Sequence, residues 1–468
     1  MPKAPAETLA EFLTRQDKTA LVHVLIELSE ADDAVRKRLA RLQLADQPDK
    51  LAAAFKRTLA GWRRSRKFRS YGEARAYGQA LRQWLDQIAR ELMPSHPPAA
   101  LGLFEQFIES DAHWFENADD SDGSIGSAVR AACVLWLQAA ARCESPRHEW
   151  PERIVRLYEA DSYGAREELL RQAHQLLPPD QLQQLVAKYQ QQMSDQVSGL
   201  QAAQGRQQPG YGVFKTSAAL SLLSESLRDP DIRVRAVLAY SPAPNGLQRE
   251  SFARAYLEVE RPQDALRWLE QPWDSWNDSR MTLLAQALYK LGRVQESAAL
   301  RKEAFEASLS SFDLEKWLGC LPAEQQANAR IHALALAQSD SDAVRSAQLM
   351  LHLEEPSRAE ERVLMAADTL DGTQYATLTP LAEALKTSGC HSAEAAVLRA
   401  LLQGILDRAN ARAYGHAARY LLRLRELDHQ AVNVTPLPSH AQFEAALKLK
   451  HGRKAAFWGL VGSGVAPA

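Results

Sequence analysis

The chain has 468 residues, 46% hydrophobic and 24% charged, and its 56 Lys+Arg against 58 Asp+Glu leave a formal charge of -2. This profile excludes collagen-like, mucin-like and largely disordered chains, and at roughly 150 residues per domain it allows two or three domains or one long array. Alanine supplies 77 residues, which favours helix over sheet because alanine loses no side-chain entropy in a helix.

The segment from Met1 to Leu13 has no apolar run of the secretory type. Residues 7–16 and 18–29 read as a helical hairpin, with Leu21, Leu25 and Leu28 on one stripe and Asp17 as N-cap of the second member. The apolar run Leu21–Leu28 is too short to span a bilayer. A third helix covers 32–44, and 49–69 pairs with 72–92. The last of these puts Ala74, Tyr77, Leu81, Trp84, Leu85 and Ile88 on one face, and Met93-Pro-Ser-His-Pro-Pro98 stops it. Further helices are predicted at 99–110, 125–142, 150–158, 163–177 and 179–193. No alternating run of β-branched residues marks a strand.

Residues 194–216 are rich in Gln and Gly and lose the apolar period, so they read as a linker or long loop. Beyond it, 251–269 and 283–301 match at an offset of 32 residues: Ala253 with Ala285, Ala255 with Ala287, Arg261 with Arg293, Gln263 with Gln295, Trp268 with Leu300. That offset lies near the roughly 34-residue period of tetratricopeptide repeats. Small alanines let two helices cross closely, and a single pair must stack on neighbours to bury its apolar face. Asp229–Ala236 and Ser339–Ser346 look like helix starts of HEAT-type repeats. The expected organisation is a helical region at 1–193, the linker at 194–216, helical repeats at 217–430 and a C-terminal helical cap at 431–468.

Four cysteines, Cys133, Cys143, Cys320 and Cys390, lack the spacing of a disulfide framework or a zinc site. A reducing, cytoplasmic setting is expected. Asp119-Asp-Ser-Asp-Gly-Ser-Ile-Gly126 partly matches a calcium loop, with Asp120 and Asp122 in ligand register. Ala118 and Val129 then fall where two further ligands belong, so the plainer reading is a turn capping the next helix.

Two stretches combine cations with aromatics. Lys56, Arg57, Arg63, Arg64, Arg66, Lys67, Arg69 and Arg75 interleave with Phe55, Trp62, Phe68 and Tyr71, offset by Glu73. Such a pattern can neutralise phosphates and stack on bases, hold an acidic protein, or form a solvated helix face. At the other end, Gly452 ends a helix carrying Phe443 and Leu447. His451, Arg453 and Lys454 then stand near its negative end, with Phe457 and Trp458 folding back as a cap or standing out as a docking knob. No phosphate loop, nucleophile elbow or His-Glu-x-x-His is present. No catalytic residue and no cofactor are therefore expected.

The N-terminal hairpin, the Asp-rich turn and the segment from Tyr414 to Trp458 together carry a likeness. In the tail the motif is Ala413-Tyr-Gly-His-Ala-Ala-Arg-Tyr-Leu-Leu-Arg-Leu424, then His440, Phe443, Leu447 and His451-Gly-Arg-Lys454 before Phe457-Trp458. The chain resembles an uncharacterised bacterial helical family whose members often follow a SWIM-type zinc finger. The paired Cys/His ligands of that finger are missing here, so its nucleic-acid or partner role does not carry over. The resemblance implies an α-helical, tetratricopeptide-like fold and assigns no catalytic residue.

Together these readings predict an all-α, right-handed solenoid of antiparallel helix pairs. The expected function is a non-catalytic cytoplasmic scaffold for a protein or peptide partner, with nucleic-acid association through 56–75 as the alternative. No membrane partner is expected.

Overall fold

Helix starts written in the sequence become real caps. In the computed structural model Asp17 accepts from the Ala20 amide, Asp229 from Asp231, and Asp342 from Val344 and Arg345. Each satisfies amides that the first helical turn leaves without partners. Residues 8–44, 46–144, 147–202, 210–273, 277–429 and 437–463 are described. Among them the secondary structure is helical, with one isolated parallel bridge between Arg69 and Ala118 and no strand. No helix is long and apolar enough to cross a membrane among the described residues.

The chain divides into two compact units, Met1–Val259 and Glu260–Ala468. In the first, Tyr71–Glu91 and Pro97–Ile108 both pack on Ser124–Ala140. The predicted stripe from Ala74 to Ile88 is buried throughout. The crossing with Ser124–Ala140 is close at Gly78, where a Cβ would come 2.6 Å from Ser124 Oγ. Trp114 and Trp136 fill the same core and are wholly buried.

Burial also pairs the charges this packing encloses. Asp111 and Arg166 form a bidentate pair at 2.7 and 2.8 Å, and Arg166 donates again to the Leu157 carbonyl. Glu105 accepts from Arg153, Arg156 and the Trp136 indole. A buried carboxylate is tolerated when its lone pairs are filled in this way.

Several boundaries differ from expectation. The helix predicted at 49–69 is Pro48–Arg64. Residues beyond it leave the helix because the Arg69 amide donates to the Asn117 carbonyl and the Asp119 amide donates to Arg69. The helix predicted at 163–177 is broken into Glu168–Arg171 and a 3-10 turn at Ala173–Gln175. Asp161 draws the Tyr163, Gly164 and Arg166 amides onto its carboxylate, which replaces the first helical turns. Within 194–216, Pro179–Ala202 continues as helix to 202, and Tyr211–Leu227 packs back on it. Residues 203–209 lie outside the described residues, and the two units part at 259/260 rather than in this stretch.

In the second unit, Asn277–Lys290 packs on Val294–Ser308 across a turn at Gly292, whose φ of 76° lies in the left-handed region. This pair is the second of the two matching segments. The first, 251–269, straddles the boundary between the units. Ala323–Ser339, Ala343–His352, Pro356–Met365, Tyr375–Thr387, His391–Asp407 and Tyr414–His429 follow, each contacting its neighbours in sequence or the next but one. Alanine marks the crossings: Ala333, Ala337, Ala347, Ala393, Ala417 and Ala418 are fully buried. The closest approach is at Gly372, where a Cβ would lie 1.8 Å from the Ala400 carbonyl oxygen. Phe457 closes the end of this core. Residues 431–436 and 464–468 of the expected C-terminal cap, and residue 430 before it, lie outside the described residues.

Candidate peptide- and anion-binding groove

Three helices of the first unit, Asp33–Leu42, Pro48–Arg64 and Tyr71–Glu91, line a cavity of about 510 Å³. Each offers one helical stripe to it. Lys37, Ala40 and Arg41 follow the spacing i, i+3, i+4 on the first, with Leu44 in the turn after it, and Ala80, Gln83, Trp84 and Gln87 follow i, i+3, i+4, i+7 on the third. Phe55, Thr58 and Trp62 come from the middle helix. The floor is aromatic. Trp84 meets Trp62 edge-on at 5.7 Å and Phe55 at 6.3 Å, and stacks on Phe107 at 5.7 Å. Phe55 and Trp84 are buried, whereas Trp62 is half-buried and forms a wall.

The Trp84 indole N–H is buried and has no acceptor among the described residues. Leaving such a donor unsatisfied costs about 1–3 kcal/mol. Of the three cations around the groove, Lys37 pairs with Asp33 at 2.6 Å and Arg41 with Glu91 at 2.8 Å. Arg57 is exposed and forms no ion pair among the described residues.

The basic cluster predicted from sequence splits in two. Lys67 pairs with Glu73 at 2.8 Å, and that hydrogen bond holds the Glu73 carboxyl below its usual range. Arg69 lies over the Tyr77 ring, 3.6 Å from its centroid, and donates to the Lys67 carbonyl. Both are thus engaged within the fold. Arg63, Arg64 and Arg66 are exposed at and beyond the end of Pro48–Arg64, with no ion pair among the described residues. Phe68 and Tyr71 stand beside them, 59% and 62% exposed.

The C-terminal residues take a different role. Gly452 ends the helix His440–His451, as predicted, although its φ of -58° is ordinary helical backbone. A Cβ there would sit 2.5 Å from the Lys448 carbonyl oxygen. Trp458 is half-buried, and its indole N–H donates to the His451 carbonyl at 3.0 Å. Lys454 donates to the Tyr414 hydroxyl at 3.4 Å, and Arg453 is exposed. His451 is buried, its Nε2 3.1 Å from Asp407 Oδ1 but outside hydrogen-bonding geometry. Burial pushes its pKa below the usual histidine value, against the pull of Asp407.

Asp120 and Asp122 bind backbone. Asp120 accepts from the Ile125 and Gly126 amides at 2.7 and 2.9 Å, and Asp122 from Ser124 at 3.1 Å. The Ser124 amide holds the Asp122 carboxyl below its usual range. These carboxylates cap the helix Ser124–Ala140, and no metal-competent group of three or more His, Cys, Asp or Glu occurs among the described residues.

A model described as "Family of unknown function (DUF6880)" matches residues 7–460. The chain belongs to that family. No curated protein and no solved structure matches it. The match covers both units, the groove and the C-terminal segment alike.

Sequence reasoning had named Arg57 and Trp62 but had not joined them to Lys37, Arg41 and Trp84. The signal is the helical spacing of Lys37, Ala40 and Arg41 and of Ala80, Gln83, Trp84 and Gln87, two stripes that face the same gap.

Proposed function

We propose that this chain is a non-catalytic scaffold that binds an acidic peptide or protein segment carrying an apolar or aromatic anchor. The observation that carries the reading is the groove at Phe55, Trp62 and Trp84, with the uncompensated Arg57 on its rim. Aromatic walls supply large contact area, and Arg is enriched at binding hot spots. A ligand acceptor that reached the Trp84 N–H would recover the cost of its burial. The successive helix pairs in each unit support a tetratricopeptide- or HEAT-like solenoid, an architecture that generates extended concave surfaces. The reading places the protein in a bacterial cytoplasm, in a family whose members often follow a SWIM-type zinc finger.

The test is titration of the full chain with short peptides of the form Asp/Glu-rich with one Trp or Leu, against charge-reversed controls. Saturable binding that Trp62→Ala and Arg57→Glu each weaken at least tenfold supports the reading. Binding unaffected by both substitutions overturns it.

The second reading is nucleic-acid association. It rests on Arg63, Arg64 and Arg66 standing unpaired beside the exposed rings of Phe68 and Tyr71. Single-stranded RNA or DNA would then bind with steep salt dependence. A gel shift with no complex at low salt removes this reading.

A further inference from the structure

Helix Lys18–Ala31 departs from the rest of the molecule. A helix apolar around most of its circumference belongs in a core. Here Val22, Val24, Leu25, Ile26 and Leu28 are each 42–51% exposed, and no residue of the helix is buried. It packs on Asp33–Leu42, which leaves Leu21 and Ser29 half-covered. The preceding helix Leu9–Thr14 also presents Leu9, Phe12 and Leu13. Together these side chains expose roughly 600 Å² of apolar surface, the upper end of what a soluble monomer tolerates.

The order of residues along one ridge identifies what covers it. Lys18, Val22, Ile26 and Glu30 stand four apart and form a single i, i+4 row. That row is complementary to its own reverse. Laid antiparallel on a second copy, Lys18 meets Glu30 and Val22 meets Ile26, and two-fold symmetry repeats both contacts. Neither Lys18 nor Glu30 has an ion-pair partner among the described residues, so both charges are available. Antiparallel helices also set each macrodipole against the opposite end of the other. Along this row the pairing covers Val22 and Ile26, which are 42% and 51% exposed in the single chain.

We propose that the protein forms a two-fold dimer through helix Lys18–Ala31, paired antiparallel along the row Lys18, Val22, Ile26, Glu30. The test uses the full chain and sedimentation equilibrium at micromolar concentration. The expected mass is twice the 52.1 kDa of one chain. Val22→Glu with Ile26→Glu gives a monomer with the wild-type helical content, because neither side chain is buried in the single chain. Lys18→Glu turns two attractive contacts repulsive and weakens dimerisation roughly tenfold. Adding Glu30→Lys to Lys18→Glu exchanges the charges and restores the wild-type dissociation constant. A monomeric wild-type chain overturns the proposal. So does a dimer that survives the double Glu substitution, or one that neither weakens with Lys18→Glu nor recovers with the exchange.

Discussion

Residues 56–75 and 448–458 both interleave cations with aromatic rings, yet the two stretches end up in opposite states. In the C-terminal stretch most of these groups find a partner within its own unit: Trp458 on the His451 carbonyl, Lys454 on Tyr414, Lys450 on Asp407. Its Phe457 is fully buried. In the N-terminal stretch Lys67 and Arg69 are engaged, while Arg57, Arg63, Arg64 and Arg66 remain open to solvent, as do the rings of Phe68 and Tyr71. The deciding groups are remote in sequence. Asp407 and Tyr414 lie some forty residues before the cations they meet, and among the described residues no comparable carboxylate reaches Arg63 or Arg64. A cation–aromatic pattern alone therefore does not distinguish a cap from a binding surface.

The largest expected difference is in packing. Phe457→Ala should lower the stability of the second unit by about 3–5 kcal/mol, since the ring is wholly buried against Tyr414 and Trp458. Phe68→Ala should change stability by less than about 0.5 kcal/mol. Urea unfolding with hydrogen exchange across 391–463 measures both. Equal effects would erase the contrast.

Acid should act next. The hydrogen bond from Arg425, helped by Lys448, pulls the Glu444 carboxyl down from 4.5 to about 2, against its partial burial. A carboxyl whose folded pKa is depressed contributes its stability in full above the unfolded value. That contribution drains away as pH falls from 4.5 towards 2, and amounts to about 2–3 kcal/mol. Glu444→Gln should flatten the acid limb of stability in that window, and Glu73→Gln in the basic cluster should act in the same direction but more weakly, because that side chain is half exposed and screened by solvent. An acid limb unchanged by Glu444→Gln would show that the pair does not hold the segment.

Charge reversal sharpens the comparison from the other side. Arg63→Glu, Arg64→Glu and Arg66→Glu together should leave the melting temperature within the change expected of surface substitutions, about 0.5 kcal/mol. They should abolish whatever salt-sensitive nucleic-acid binding the chain has. A marked loss of stability would mean that these side chains are engaged in the fold after all.

The smallest effect concerns His451. Its folded pKa lies below 6.5, so the unfolded chain takes up the proton first as pH falls. The stability it contributes is complete above 6.5 and is lost as pH drops through the folded value. His451→Gln should remove that slope between neutral pH and mild acid. A slope that persists in the variant assigns it elsewhere.

The helical class was legible because its signals are local. Asp17 caps the helix it was expected to cap, helices start within the segments 229–236 and 339–346, and the stripe from Ala74 to Ile88 is buried as its period predicts. What could not be read depends on partners far along the chain. The turn after Arg64 is set by Asn117 and Asp119, and the break before Glu168 by Asp161. The buried pair Asp111–Arg166 spans 55 residues, and nothing in either neighbourhood announces it. The groove was half-visible: Phe55, Trp62 and Arg57 sit in one stretch, but Trp84 and Lys37 join them only through tertiary packing.

The most direct measurement is a quantitative capture of partners from the source cells on three forms of the full chain: wild type, Trp62→Ala with Arg57→Glu, and Trp458→Ala. Nuclease treatment separates protein from nucleic-acid partners. The account predicts a nuclease-resistant protein partner retained by wild type and by Trp458→Ala, and lost from the groove variant. A partner kept by the groove variant and lost with Trp458→Ala would contradict it, and would move the binding surface to the C-terminal segment.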